Sequence, residues 1–331
     1  MDYFINHEDF SYTRILLFSW DCYLQPVILS ETNGHFFAEK IKENFKSGNK
    51  KIVINCNNVL DVEDHFSDEF LKIIKNNKEC SIVFYSNDRV NKLIEYIKKH
   101  INKSDFHHTF MHEEGEVSSY IISGNNVCSS TISSMISEAN RIEKKKVIEV
   151  VKNSYVETGA ETLSSTPLSA KGQFDATKLI SKPSVFRWIV LLLVESIFNY
   201  CISNNVKGYG LVAGSLRGAA IAGSVWELLQ QFDDEITIKI VDHVGPCHDV
   251  VGKRYESLGV INKEFIYIGD FLIAGTEIKL TSAYCNFIGT TLTNAFVIGK
   301  YTTKNLIDNK IKLHSLVDLN ECNLNLEYKL V

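Results

Sequence analysis

Residues Phe265–Leu280 read FIYIGDFLIAGTEIKL. The uninterrupted apolar run Phe265 to Ile268 predicts a buried strand. Asp270 stands where that strand is expected to end, and Ala274-Gly275-Thr276 opens a helix that continues through Glu277. Strand, acid, tight glycine turn and helix is the layout that aims backbone N–H groups and a helix N-terminus at a phosphate. Gly275 is required by the turn whether or not a ligand binds. Asp270 is a loop-opening residue if nothing binds, and an acceptor for a ligand hydroxyl if something does.

A second unit of the same kind lies about 60 residues upstream, in Gly210–Ala222, GLVAGSLRGAAIA. One glycine loop is a weak signal, but two strand-glycine-helix units in tandem are a much stronger one. Arg217, after Ser215 and Leu216 and before Gly218, is a solvated helix-start residue on the bland reading. On the functional reading it offers a planar fork to an anion.

At 331 residues, 45% of them hydrophobic, the chain has material for two packed domains of ordinary size. A net charge of −5 gives no reason to expect tight nucleic-acid binding, which leaves only a local basic face for such a partner. The eight cysteines are scattered without a C-x-x-C pair, which points to reduced thiols and away from zinc or disulfides. The N-terminus, MDYFINH, lacks the basic start and apolar core of a signal peptide. The most apolar run, Trp188 to Val194, is shorter than the roughly 20 residues of a membrane span. A cytoplasmic protein with no membrane partner is expected.

Up to about residue 125 the pattern alternates strands (Arg14–Ser19, Lys51–Cys56, Ser81–Ser86) with helices (Gly34–Lys46, Ser67–Lys75, Arg89–His100). Such alternation predicts a mixed or parallel sheet. A Ser/Asn/Thr-rich connector follows at 126–142 and runs into a helix through Asn153, with the lysine triplet Lys144 to Lys146 on its solvated face. The expected domains are 1–125, the connector 126–142, and 143–331. His107, His108, His112 and Glu113 form a metal cluster only if that stretch is helical, and a surface cluster otherwise. Cys247 beside His248 reads as an incidental loop thiol.

The segment Ile52–Asp61 with His65–Phe70 resembles STAS-like domains, which implies a regulatory module that binds a protein partner. Ser67 matches the hydroxyl at which some of those domains are phosphorylated; from the residues alone it is a helix N-cap. From about Lys145 to Tyr301 the chain resembles type I phosphoribosyltransferases, and the Ala-Gly-Thr ending is similar to the orotate branch. The pieces occur in order. They are a helix ending in Tyr155–Ala160, a hood-like segment Leu168–Pro183 around Phe174 and Asp175, the helix Val185–Ser203, the loop at Leu216-Arg217-Gly218, and the loop after Asp270.

The resemblance implies an α/β fold with a parallel sheet flanked by helices, beside a smaller α/β STAS-like domain. It implies that Ala274, Gly275, Thr276 and Glu277 cradle the 5′-phosphate of PRPP and that Asp270 meets its ribose. Ser215 to Gly218 would meet the pyrophosphate, and Mg²⁺ would arrive as the PRPP complex. The loop Asp242–Gly259 would supply cations, Lys253 and Arg254 first and His243 and His248 next, to a neighbouring subunit in a homodimer. Three positions depart from the pattern. Gly269 replaces the first of two acids, Ile273 replaces a hydroxyl residue, and Ser165 stands where the orotate enzymes have a lysine. Orotate is therefore not the expected acceptor. Three functions fit: transfer of phosphoribose to another acceptor, a weakened PRPP or nucleotide sensor, and an effector of a bacterial stress or anti-phage system acting on nucleotides or RNA.

Overall fold

A computed structural model describes residues 3–7, 10–14, 27–29, 35, 38–39, 41–42, 51–56, 59–64, 66, 68–76, 81–86, 92–100, 106–112, 115–122, 129–162, 168–230, 233–241, 264–301, 311–324 and 328–330. The chain forms two compact units, Met1–Lys145 and Lys146–Val331.

In the first unit, β1 (Tyr3–His7), β2 (Phe10–Arg14), β3 (Val27–Leu29), β4 (Lys51–Asn55) and β5 (Val59–Val62) precede α1 (Asp68–Asn76). Then come β6 (Ser81–Ser86), α2 (Lys92–His100), β7 (Phe106–His112) and β8 (Gly115–Ile122). The main sheet has the order β1-β2-β4-β6-β8-β7, while β3 and β5 pair separately. It is mixed: β2, β4 and β6 run parallel, and the other neighbours are antiparallel. Phe66, Phe70 and Phe84 are fully buried in its core, with Phe66 edge-on to Tyr96.

Several expectations change here. The second strand is Phe10–Arg14, ending where Arg14–Ser19 was expected to begin; the rest of that segment, most of the expected helix Gly34–Lys46 and Ser67 lie outside the described residues. His107, His108 and His112 are on a strand, not a helix. The helical spacing of His108 and His112 on which the metal reading depended is therefore not formed; Glu113 lies outside the described residues.

The second unit takes the end of α3 (Ser129–Lys152), a helix of 24 residues that absorbs most of the expected connector. It continues with β9 (Tyr155–Thr162), β10 (Leu168–Phe174), α4 (Thr177–Ile180) and α5 (Pro183–Asn204). Tyr155–Ala160 is thus strand, not the end of a helix. Gly172 explains part of this: a side chain there would meet the Val156 carbonyl at 2.4 Å and the Tyr155 ring at 2.5 Å, so only glycine lets β9 and β10 cross closely. Next come β11 (Gly210–Ala213), α6 (Leu216–Leu229), β12 (Thr237–Ile240), β13 (Glu264–Leu272) and α7 (Thr276–Phe287). β14 (Thr291–Lys300), β15 (Lys312–Asp318) and β16 (Tyr328–Leu330) close the chain.

Strands β12-β11-β13-β14-β15 make one sheet, parallel throughout. Its central strands are apolar on both faces, as a sheet covered on both sides requires: Leu211, Val212, Ile266, Ile268 and Ile298 are fully buried. Helices α5 and α6 cover one face and α7 the other, where Ile278 and Tyr284 pack on Val212, Phe265 and Tyr267. Residues Val185–Asn204 of α5 are, by length and composition, apolar enough to cross a membrane, longer than the run Trp188–Val194 suggested. In this fold Trp188, Ile189, Val190 and Ile197 are fully buried, and each side chain of that kind contributes about 1.5–3 kcal/mol. Four described cysteines, Cys56, Cys201, Cys285 and Cys322, are buried free thiols.

Candidate functional site

From β11 the chain steps to β12 on one side and then returns to β13 on the other. That reversal opens a crevice at the carboxyl ends of β11 and β13, the place where open α/β sheets bind ligands. Both glycine loops found in the sequence lead away from these two strand ends.

On the β11 side, Ala213 gives way to Gly214 and Ser215, and α6 begins. Ser215 is extended (φ −138°) and caps the helix, its Oγ accepting from the Gly218 N–H at 3.1 Å. Gly218 is pressed against β13: a Cβ there would lie 3.3 Å from the Ile268 carbonyl. Leu216 is 89% exposed, so what it offers a ligand is its N–H and not its side chain. Arg217 is half-exposed, its Nη1 3.9 Å from Asp175 Oδ1. Asp175 sits on the turn after β10, where it accepts from the Thr177 hydroxyl at 2.6 Å and the Thr177 N–H at 3.0 Å. These bonds, more than Arg217, hold its carboxyl below the usual range.

On the β13 side, the strand runs to Leu272, beyond its expected end. Its outer residues keep pairing with β14, Phe271 opposite Gly299 and Leu272 opposite Lys300, after its pairing with β11 has stopped at Tyr267. Asp270 is therefore an in-strand residue at a newly bared edge, half-buried, with Oδ1 accepting from the Phe271 N–H at 2.7 Å. Burial pushes its carboxyl up, against the opposing pull of that N–H and of Arg217. Gly275 then takes a left-handed conformation, φ 71°, and α7 starts without a side-chain cap. The first N–H groups of such a helix have no partner within it.

Glu277, in the first turn of α7, was expected to contribute to a phosphate cradle. Its carboxylate is held on β13, where Oε1 accepts from the Tyr267 hydroxyl at 2.6 Å. Burial raises its proton affinity, Asp270 raises it further, and the hydroxyls of Tyr267 and Ser215 and the charge of Arg217 work the other way. Tyr267 is itself buried, and its hydroxyl is held well above the usual range by that burial and by the two acids.

The hood-like segment reaches the same place. Phe174, beside Asp175, packs on Phe271, beside Asp270, with ring centroids 5.1 Å apart, and Tyr155 packs on Phe174 at 5.3 Å. The structure thus brings together Asp175, Ser215, Arg217, Asp270, Gly275 and Glu277. Lys253, Arg254, His243, Cys247, His248 and Ser165 lie outside the described residues. Tyr267 and Phe271 escaped sequence reading because each looked like one more apolar strand residue. A pocket of about 530 Å³ lies elsewhere, at the amino ends of β11 and β12, lined by Phe198, Tyr209, Leu229 and Asp233 but by no loop residue named here.

Over about half its length the chain is similar in structure to phosphoribosyltransferases. With the orotate phosphoribosyltransferase of Aeropyrum pernix it shares 16% identity at a TM-score of 0.40, over 53% of this chain and 96% of that one. The orotate phosphoribosyltransferase of Mycobacterium tuberculosis, solved with inorganic phosphate, gives 14% and 0.38 over 55% and 99%. The adenine phosphoribosyltransferase of Trypanosoma brucei, solved with AMP, pyrophosphate and ribose 5-phosphate, gives 15% and 0.38 over 54% and 80%. No protein-family model matches the sequence, and neither does any curated protein.

Proposed function

We propose that the second unit binds a 5′-phosphorylated ribose, PRPP foremost, and transfers its phosphoribosyl group to an acceptor other than orotate. The observation that carries this is the switch-point crevice, where the Gly275 turn and the start of α7 meet Asp270 and Arg217. The first-turn N–H groups from Gly275 to Glu277 take the 5′-phosphate, aided by the positive end of the helix. Asp270 accepts a ribose hydroxyl, and in doing so favours positive charge developing at C1. Arg217, released from its long contact with Asp175, offers its fork to the departing pyrophosphate, aided by the N–H group of Leu216.

The oxygen donors at the crevice suit a hard cation: Mg²⁺ keeps water and pyrophosphate oxygens in its shell and needs one or two carboxylates, with Asp270 the first candidate. Mg²⁺ bound with PRPP offsets the charge of the leaving pyrophosphate. The first unit, STAS-like in its strand-loop-helix, is the regulatory part of this proposal, with a protein partner.

A second reading, a sensor with weakened chemistry, has Ile273 in its favour, because that side chain offers a phosphate no hydroxyl. Calorimetry with PRPP and Mg²⁺, followed by pyrophosphate release against a panel of bases, nucleotides and RNA, decides between them. Tight binding with release on one acceptor supports transfer, and binding without any release supports the sensor. Orotidylate formation overturns the exclusion of orotate. Absence of PRPP binding overturns both readings.

A further inference from the structure

We propose that Glu277 is a second ligand-facing acid of this site, placed to accept a hydroxyl hydrogen of the bound sugar, and that Tyr267 is its positioning residue. The inference rests on the reading of the site as one for a phosphorylated ribose, and adds to it the group that recognises the diol.

The geometry starts at Gly269. A side chain there would lie 2.6 Å from Tyr267 Cε1 and 2.8 Å from its hydroxyl, so the Tyr267 ring already fills the space beside the strand that an acid at 269 would need. The ring runs along β13 toward the carboxyl end and delivers its hydroxyl to Glu277 at 2.6 Å. The position that lost an acid is therefore occupied by a tyrosine that holds another acid. Gly214 completes the seat from the neighbouring strand. A Cβ there would fall 2.9 Å from Glu277 Cγ and 3.1 Å from Oε1, so only glycine lets the β11 loop close over the carboxylate. Ser215, on the same loop, favours its charged form.

Strand parity sets the two acids apart. Asp270 belongs with Ile266 and Ile268 on the face covered by α6, whereas Tyr267 and Gly269 belong to the face covered by α7. Asp270 and Glu277 thus come to the crevice from opposite faces of the sheet, and the charge of Arg217 acts on both. A vicinal diol carries two O–H donors. Asp270 already spends acceptor capacity on the Phe271 N–H, and a carboxylate has about four acceptor positions, so Glu277 retains capacity after Tyr267 and Ser215. One acid per hydroxyl is the arrangement these positions allow.

The test compares ribose 5-phosphate with its 2-deoxy and 3-deoxy analogues, taking the larger of the two preferences, by calorimetry on the full chain, with inorganic phosphate as the probe of the cradle. The unaltered protein is expected to prefer the ribose compound by about tenfold or more, the worth of one hydrogen bond to a charged group. Glu277→Gln should reduce that ratio to about twofold. Tyr267→Phe, which keeps the ring and removes only the hydroxyl, should lower it partway, because the acid remains but loses its anchor. An unchanged ratio in both variants, whatever happens to the absolute affinities, overturns the role of Glu277 and leaves the phosphate site standing. Binding of neither sugar phosphate nor phosphate by the unaltered protein overturns the reading of the site, and Glu277 with it.

Discussion

Gly275 is the residue on which phosphate binding turns. Its φ of 71° costs a β-branched side chain about 1–2 kcal/mol, and under the proposed function a side chain there would enter the space of the phosphate. Gly275→Val should lower the melting temperature by several degrees and weaken PRPP binding at least about a hundredfold, as read by calorimetry on the folded variant. Unchanged affinity would remove the phosphate from this loop. Glu277 supports a second prediction, on pH. Its folded-state proton affinity is raised, so at a pH between its unfolded and folded values the folded protein holds a proton that the unfolded chain has released. Stability from this group is therefore greatest in acid and declines as pH rises from the ordinary carboxylate range through the raised folded value. Glu277→Gln should flatten that decline, and thermal melts at pH 5 and pH 7.5 should show the gap between variant and parent widening at the higher pH. Of these residues Gly275 and Asp270 were legible in the sequence, because a turn and a strand end leave local marks. The seating of Glu277 on Tyr267 was not, since it depends on where Tyr267 and Gly214 stand in space.

At the scale of elements, the site is set by how far each strand is paired. The sequence reading stopped β13 at Ile268, because Gly269 and Asp270 are poor strand residues taken alone. The strand continues to Leu272 because β14 stays alongside through Lys300, a long-range partner that local pattern does not display. Similarly, Tyr155–Ala160 looked like the end of a helix, but α3 stops at Lys152 and β9 forms because β10 is there to receive it. Helix α6, by contrast, was legible as the helix of a strand-glycine-helix unit. What the structure adds is its cap, Ser215 Oγ accepting from the Gly218 N–H. Ser215→Ala should cost about 0.5–2 kcal/mol in denaturant unfolding. A loss below the lower bound in urea melts would show that the capping bond is not maintained in solution.

For the whole molecule, the question is whether one chain completes one site. The described residues at the crevice provide two helix-borne or strand-borne acids but only one arginine, Arg217, for a ligand rich in phosphate. The stretch Asp242–Gly259 between β12 and β13 carries Lys253 and Arg254, and it is far longer than the usual connection of about 4–6 residues. The family resemblance gives such a segment to the partner's site, and closed two-fold pairing is the commonest assembly of soluble oligomers. A homodimer with exchanged loops is therefore predicted. Asp270→Asn disables a site from within, whereas Arg254→Ala disables the site its loop serves. If loops are exchanged, one site of a mixed dimer carries both changes and the other carries neither. Mixing the two inactive proteins should then restore up to about a quarter of parental pyrophosphate release, since half the dimers are mixed and each has one intact site. If each loop serves its own subunit, every site in the mixture carries one lesion and no activity returns. A monomer by light scattering at the assay concentration would falsify the dimer itself.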